Sequence, residues 1–242
     1  MANKFTVGLP VLALSLILSQ VSMASSPLIA IDVGHSKKSP GATSARGKDE
    51  FDFNLDLANL ITKTINILGG QAFEIGADGK SVDPETRPLE ASSRSAKFFL
   101  SIHHDSVQQQ YLEDWNWDGG VQHYADKFTG FSLFVSRKNK QLPASLHCAS
   151  MIGATLREAG FKPSPHHADK VEGESREWAD QANGVYYYDN LIVLKNAKMP
   201  AVLLESGVIV NREEETRMLD PTVRSKIANA VALGLNKCGM LK

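Results

Sequence analysis

The chain has 242 residues and a formal net charge of −1, with 26 basic against 27 acidic side chains. With 43% apolar and 22% charged residues its composition is that of a globular protein, and the length suffices for one domain with a substantial core. The near-zero net charge argues against a nucleic-acid partner, because such proteins normally carry a basic excess. Two cysteines are too few for a disulfide-rich scaffold or a four-cysteine zinc site.

The first 24 residues have the pattern of a secretory signal peptide. Lys4 supplies a positive charge, residues 7–18 are mostly apolar, and Ser22-Met23-Ala24 places small residues where a signal peptidase cuts. The apolar run is shorter than the roughly 20 residues that a membrane-spanning helix needs. We therefore expect cleavage after Ala24 and an exported, soluble protein without a membrane anchor.

After this segment, predicted strands and helices alternate along the chain. The strands are short apolar runs bounded by turn residues, at 28–33, 71–75, 98–102, 131–135, 191–194 and 201–204. The helices carry apolar residues at helical spacing, at 52–68, 85–97, 143–159 and 223–235. The alternation predicts a single α/β domain over residues 25–242, with a twisted, mostly parallel (mixed) sheet of about six strands flanked by helices.

Two long polar stretches, 107–130 and 162–189, interrupt the alternation. Long loops inside compact domains are uncommon and are often functional. We therefore expect both stretches to form rims or lids of a site.

Four reactive side chains are predicted at one end of the sheet. His35 follows the first predicted strand, His103 follows the third, and Glu205 ends the last. Glu50 lies at the start of the helix that leaves the first strand. Ligands of open α/β sheets bind beyond the carboxyl ends of the strands, where these residues lie. Two histidines and a glutamate are a common ligand set for catalytic zinc, and a further carboxylate is suited to proton transfer.

Four blocks of sequence carry a resemblance to a known family. They are Ile29-Ala-Ile-Asp-Val-Gly-His35, Lys48-Asp-Glu50, Leu100-Ser-Ile-His103-His-Asp and Met199-Pro-Ala-Val-Leu-Leu-Glu205-Ser-Gly, with Asn211 after the last. In these blocks, and in their order, the chain resembles the zinc-dependent N-acetylmuramoyl-L-alanine amidases, the type-3 amidase domain of bacterial cell-wall hydrolases. The resemblance extends from residue 28 to the C-terminus.

The resemblance implies that His35, Glu50 and His103 bind one Zn²⁺ and that Glu205 is the catalytic carboxylate. It also implies hydrolysis of the amide between N-acetylmuramic acid and the L-alanine of the peptidoglycan stem peptide, in the periplasm or cell envelope. Peptidoglycan or muropeptides would be the partners of a monomeric enzyme. Two alternatives stay open: a zinc peptidase cutting within the stem peptide, and a non-catalytic wall-binding or regulatory protein of the same fold.

The chain departs from the family pattern at a few positions near these blocks. Val33 and Ser36 stand where the family usually has proline and glycine, and Asp105 stands where asparagine is common. The usual Thr-Arg after the second strand is missing at residues 74–76. None of these changes removes a predicted ligand, and we expect Asp105 to accept a hydrogen bond close to the zinc ligands.

Three further histidines need an interpretation. His104 should point to the face of the strand opposite His103, so it is not expected to bind the same ion. His166 and His167 lie in the polar stretch 162–189 and are interpreted as a solvated pair. In the same stretch, residues 170–180 are a candidate acidic helix. Some members of the family cover the zinc with such a helix, which an activator protein displaces, and deletion of 168–182 would then raise activity.

Two motifs elsewhere have a weaker interpretation. Asp114 to Gly119 imitates the opening of a calcium loop, but Ala125 stands where the bidentate glutamate belongs, so calcium is not expected. The tryptophans within this motif would either stack on sugar or peptide, or pack the loop. Cys148 lies in an apolar helix, and its pairing with Cys238 is open and depends on an oxidising compartment.

Overall fold

The structure is a computed structural model that describes residues 1–2, 26–80 and 83–241. The predicted signal peptide therefore lies almost entirely outside the described residues. Among the residues described, no helix combines the length and the hydropathy that crossing a membrane requires.

Nine strands are present in the described chain. They are β1 Leu28–Val33, β2 Gln71–Ile75, β3 Phe98–Asp105, β4 Glu113–Trp117, β5 Gly120–Tyr124, β6 Ser132–Val135, β7 Trp178–Asp180, β8 Val185–Tyr187 and β9 Ala201–Val208. Seven of them form one sheet in the order β2-β1-β3-β9-β6-β8-β7, and β4 and β5 form a separate antiparallel hairpin. In the sheet, only β6 with β9 and β7 with β8 pair antiparallel. The predicted mixed, mostly parallel sheet is confirmed, with seven strands rather than about six.

Helices cover both faces of the sheet. They are α1 Glu50–Ile67, α2 Thr86–Ser93, α3 Leu142–Glu158, α4 Ile192–Lys195, α5 Arg212–Leu219 and α6 Pro221–Lys237. The core on one face joins α1, α3 and α6 to the sheet through residues such as Ile31, Phe53, Leu100, Ile152 and Val231. The core on the other face joins α2 and α4 to residues such as Ala30, Ala91, Phe99, Val193 and Leu203. Successive residues of the central strands β1, β3, β6 and β9 thus alternate between two buried layers, as both-sided coverage requires.

The prediction of a strand at 191–194 is wrong, because these residues enter the one-turn helix α4. Val193 and Leu194 are buried in the same core as Phe99. A run of four apolar residues fits a buried strand or a buried helix equally well, so periodicity could not separate the two. The structure also leaves no open edge beside β9, since β3 and β6 pair with it on either side.

The acidic helix considered at 170–180 is not formed. Gly173 and Ser175 have φ values of 86° and 61°, which lie in the left-handed region and interrupt a right-handed helix. Beyond this turn, β7 pairs with β8 at the edge of the sheet. The stretch 162–189 is therefore a set of turns followed by two short strands, of which β7 forms the edge of the sheet.

A disulfide bond joins Cys148 in α3 to Cys238 directly after α6. This is the pairing that the sequence left open. The bond fastens the end of the chain to the middle of the helical layer, where α3 and α6 share the core around Ile152 and Val231.

Replacement of both cysteines by alanine is expected to lower the free energy of unfolding by about 2–4 kcal/mol. The reason is that the bond links positions 90 residues apart and so restricts the unfolded chain. Urea denaturation followed by circular dichroism measures the change. A reducing agent should shift the midpoint of the wild type but not that of Cys148→Ala/Cys238→Ala, and an unshifted wild type would contradict the expectation.

Candidate active site

The carboxyl ends of β1, β3 and β9 lie side by side, and the predicted site residues meet there. His103 and Glu205 occupy opposite positions in the parallel ladder between β3 and β9. His35 follows β1 after Gly34, and Glu50 is the first residue of α1. The structure therefore brings together the side chains that the sequence placed at this end of the sheet.

The carboxylate of Glu50 joins the two histidines. Its Oε2 lies 3.1 Å from His35 Nε2, and its Oε1 lies 3.1 Å from His103 Nδ1. The backbone N–H of Ala42 donates to Oε2 at 3.0 Å, and the Asn54 amide donates to Oε1 at 3.0 Å. Burial alone would raise the pKa of Glu50, but the hydrogen bonds and charges of His103 and His35 hold it well below its usual value.

Two glycines leave the space that these side chains occupy. A Cβ at Gly34 would lie 2.4 Å from the His103 ring, and a Cβ at Gly41 would lie 2.3 Å from Glu50 Oε2. Gly41 also has a φ of 84°, a conformation that other residues rarely adopt. The loop after β1 can therefore close around the His35–Glu50–His103 group only with glycine at both positions.

Arg87 of α2 fixes the backbone that carries His35. Its Nη2 donates to the His35 carbonyl at 2.6 Å, and its Nη1 donates to Asp32 Oδ1 at 2.7 Å and to the Val33 carbonyl. His35 itself has a φ of 67°, in the left-handed region, so this support holds a strained residue. Nothing in the sequence points to Arg87, because a single arginine in a short polar helix gives no indication that it is buried.

The carboxyl of Glu205 is confined in a different way. Its Oε2 is buried and has no hydrogen-bond partner among the described residues. Burial raises the pKa of Glu205, and the negative charges of Asp105 and Glu50 raise it further, to well above the usual value. A carboxyl with a raised pKa is suited to accept and return a proton near neutral pH.

The donor set of His35, Glu50 and His103 fits a zinc ion. Two imidazole nitrogens and a carboxylate oxygen, all within 4.8 Å of one another, are atoms that zinc prefers. Neighbouring ligand atoms around tetrahedral zinc are about 3.3 Å apart. Both histidine–glutamate separations here are 3.1 Å.

A cleft of about 540 Å³ opens beside this donor set. His35 and His103 form part of its wall, with Arg87, Tyr188, Leu191 and Val193 along the remainder. The segment that enters α4 is part of the site, because Leu191, Ile192 and Val193 supply an apolar side of the cleft. A bound molecule in this cleft would contact the histidines directly.

A sequence model of the N-acetylmuramoyl-L-alanine amidase family, Amidase_3, matches residues 29–237. The chain belongs to this family. Amidase AmiC of Neisseria meningitidis is 23% identical over 238 residues, which cover 87% of this chain and 52% of that one. The chain thus spans about half the length of this relative.

Solved structures share the fold of this amidase-family chain. An N-acetylmuramoyl-L-alanine amidase from Clostridium difficile 630 superposes with a TM-score of 0.68 at 18% identity, covering 88% of this chain and 97% of that one. The CwlD amidase from Clostridioides difficile, solved in complex with the GerS lipoprotein, superposes with a TM-score of 0.65 at 23% identity, covering 88% and 98%. The predicted fold is thereby confirmed.

His104 of this amidase-family chain lies on the opposite face from His103, as predicted. Its Nδ1 is 2.8 Å from Asn54 Oδ1, and its ring packs against Phe53 at 5.5 Å between centroids. Burial lowers the pKa of His104 to about 3, so the ring is neutral. It supports the start of α1 beneath Glu50.

His166 and His167 are not a solvated pair, and that interpretation is wrong. They are 5% and 6% exposed, and their Nε2 atoms lie 3.2 Å and 2.8 Å from Asp105 Oδ2. Burial would lower the pKa of His167, but the charge and hydrogen bond of Asp105, together with Glu174, raise it to about 9. Phe134 packs edge-on against the His167 ring, which explains the burial of a segment that reads as polar.

The motif from 114 to 119 forms the β4–β5 hairpin rather than a calcium loop. Asp114 and Asn116 lie within β4, so their side chains line one face of an extended strand instead of surrounding an ion. Trp115 and Trp117 stack on each other at 5.1 Å, and the Arg46 guanidinium lies 4.8 Å from the Trp117 ring. The hairpin packs on the loop before α1 and forms a rim of the domain.

Replacement of Arg87 by methionine is expected to reduce the free energy of unfolding by about 3–5 kcal/mol, because the buried Asp32 carboxyl would lose the guanidinium that pairs with it. Asp32 is 1% exposed and Arg87 4% exposed. Arg94→Met is the matched control, since its pair with Glu90 is exposed and contributes about 1 kcal/mol or less. Urea denaturation compares the two variants, and equal losses would contradict this account of Arg87.

Proposed function

We propose that the protein is a peptidoglycan hydrolase, a zinc-dependent N-acetylmuramoyl-L-alanine amidase. It would cleave the amide between N-acetylmuramic acid and the L-alanine of the stem peptide. The observation that carries the proposal is the His35–Glu50–His103 donor set together with Glu205, whose Oε2 is buried, in a chain of this family. One zinc ion at this site would be held by these three side chains.

The zinc ion would supply Lewis acidity toward the amide carbonyl and the attacking water. The protein's own groups orient this chemistry. Glu50 contacts one ring nitrogen of each histidine and so fixes the orientation of both rings. Arg87 fixes the backbone of His35. Because these contacts exist within the fold, little reorganisation is needed when substrate binds.

Glu205 would transfer the proton. Its Oε2 accepts a proton from the attacking water as the oxygen adds to the lactyl carbonyl carbon. The same atom then returns the proton to the alanine nitrogen as the carbon–nitrogen bond breaks. The products are a lactyl carboxylate on the sugar and a stem peptide with a free amino end. The raised pKa of Glu205 supports this role, because the group must hold the proton between the two steps.

We also propose an exported location, in the periplasm or cell envelope, after signal-peptide cleavage at Ala24. A disulfide bond between Cys148 and Cys238 supports this location, since such bonds persist in oxidising compartments. The partners would be peptidoglycan or muropeptides, which a monomer would bind through the cleft beside His35 and His103.

The function is tested by digesting purified peptidoglycan and identifying the products by mass spectrometry. Intact stem peptides with free L-alanine amino ends are expected. Cuts inside the stem would instead identify a peptidase. Absence of products from metal-loaded protein, with or without an activator, would identify a non-catalytic wall-binding or regulatory protein.

Glu205→Gln is expected to lower kcat by about 10²- to 10⁴-fold, the usual contribution of a proton-transferring group, and to retain zinc. His35→Ala and His103→Ala should lose both zinc and hydrolysis. Metal content by mass spectrometry and muropeptide release measure the two properties separately. Full activity of Glu205→Gln would refute the assignment.

The stretch 162–189 is proposed as a gate that an activator protein would open. The relative CwlD was solved in complex with the GerS lipoprotein, which makes a protein partner a reasonable expectation. Deletion of 168–182 is no longer a clean test, because β7 would be removed. Gln108 offers a smaller change, since its amide donates to Glu174 Oε1 at 3.1 Å and ties the stretch to the loop after β3.

Gln108→Ala is expected to raise basal amidase activity several-fold, because a gate that has lost this contact opens more often. Gln109→Ala, an exposed neighbour, is the control. Rates of muropeptide release by both variants decide the matter. Unchanged or reduced activity of Gln108→Ala would count against a gate.

A further inference from the structure

A second group of potential ligands lies at the end of β3, apart from the proposed catalytic zinc site. Asp105 is the last residue of β3, and His166 and His167 come from the turn that follows Pro165. One ligand atom from each residue lies within 4.8 Å of the others. All three side chains are at most 10% exposed.

We propose that Asp105, His166 and His167 bind a second divalent transition-metal ion, with zinc as the best-fitting candidate. The site is distinct from His35, Glu50 and His103, and it stands whether or not the catalytic proposal holds.

The ligand atoms of the three residues converge on one point. Both histidines turn Nε2 toward the same oxygen, Asp105 Oδ2, at 3.2 Å and 2.8 Å. Ligand atoms around a tetrahedral zinc lie about 3.3 Å apart. The rings themselves are 4.0 Å apart between centroids. Two imidazoles this close, pointing at one carboxylate oxygen, have the arrangement of ligands gathered around one centre.

One ring nitrogen of His166 has no hydrogen-bond partner. His166 Nε2 is buried and forms no hydrogen bond within the described chain, although it lies 3.2 Å from Asp105 Oδ2. Its direction does not suit donation to that oxygen. A buried polar atom without a partner is destabilising, because it has lost its hydrogen bonds to water. A metal ion bound at this nitrogen would remove that cost.

The other ring nitrogen of each histidine is held by a neighbouring polar side chain. Nδ1 of His166 lies 2.7 Å from Ser164 Oγ, and Nδ1 of His167 lies 2.8 Å from Glu174 Oε2. Glu174 is itself held by the Gln108 amide at 3.1 Å. Metal-binding histidines characteristically use the second ring nitrogen in this way, which fixes the orientation of the ring. Nε2 of His166 is free to bind a metal ion, whereas Nε2 of His167 would release its proton and exchange its hydrogen bond to Asp105 for the ion.

The donor chemistry selects the class of ion. Two imidazoles and one carboxylate suit zinc and similar divalent transition metals, whereas calcium and magnesium require mostly oxygen ligands. Three protein ligands leave a position for water. Bound there, the ion would link the turn at 166–168 to the end of β3. The charge of Asp105 at this end also raises the pKa of Glu205.

Metal content of the whole chain tests the proposal. Protein stripped with a chelator, reloaded with zinc and freed of excess metal should hold two ions per chain. His166→Gln should hold one ion, retained at the catalytic site. His123→Gln, which alters an exposed histidine paired with Asp114, should still hold two.

The two sites are separated by a variant without catalytic ligands. His35→Ala/His103→Ala should hold one zinc ion, and cobalt in its place should give the visible absorption bands of a low-coordinate site. Adding His166→Gln should abolish both signals. Glu174→Gln in this background should weaken zinc binding about 10- to 100-fold, as expected for a residue that positions a ligand. Circular dichroism confirms that each variant is folded.

One ion in the wild type and none in His35→Ala/His103→Ala would overturn the proposal, leaving His166, His167 and Asp105 as a charged hydrogen-bonded cluster. Failure of the catalytic proposal has a different signature. In that case the wild type would hold one ion, which His35→Ala/His103→Ala would keep and His166→Gln would lose.

Discussion

The buried carboxylate of Glu50 is the group on which the site depends. It is 4% exposed and receives contacts from His35, His103, Ala42 and Asn54, so its two oxygens organise parts of β1, β3 and α1 at once. A charge removed from water is costly unless such partners surround it. Folding must therefore surround Glu50 with hydrogen-bonding partners. Two of these partners are imidazoles, which places them where a metal can bind. Stability and ligand geometry therefore have a common cause here.

The sequence was sufficient to predict that these candidate residues lie together, because the fold places them near the ends of strands. A parallel sheet brings its carboxyl ends together, so His35, His103 and Glu205 could be placed without knowing any side-chain contact. The sheet class followed from alternation in the same way. The strand wrongly expected at 191–194 shows the limit, because four apolar residues do not reveal their backbone conformation. The helical conformation of these residues depends on how Val193 packs against the sheet.

Other features were beyond prediction for a different reason. Asp105 and His167 are 62 residues apart, and nothing periodic links them. A polar, charged stretch predicts solvated side chains, whereas Phe134 and Tyr186 pack against the His167 ring and Phe128 packs against the His166 ring. Arg87 likewise reveals its role only through acceptors that lie on another element. Such contacts arise from tertiary structure and leave no mark on neighbouring residues.

The ladder between β3 and β9 has a kinetic consequence. It joins Phe99 to Ala201, and these strands close only after about a hundred intervening residues have been made and arranged. Long-range pairings of this kind form slowly, because the loop entropy is lost before the contacts repay it. A nascent chain that has not reached Ala201 carries His35, Glu50 and His103 but not Glu205. The proposed proton carrier would thus be the last of the four candidate residues to be synthesised, and a chain that stops before it would lack the group that the proposed hydrolysis requires.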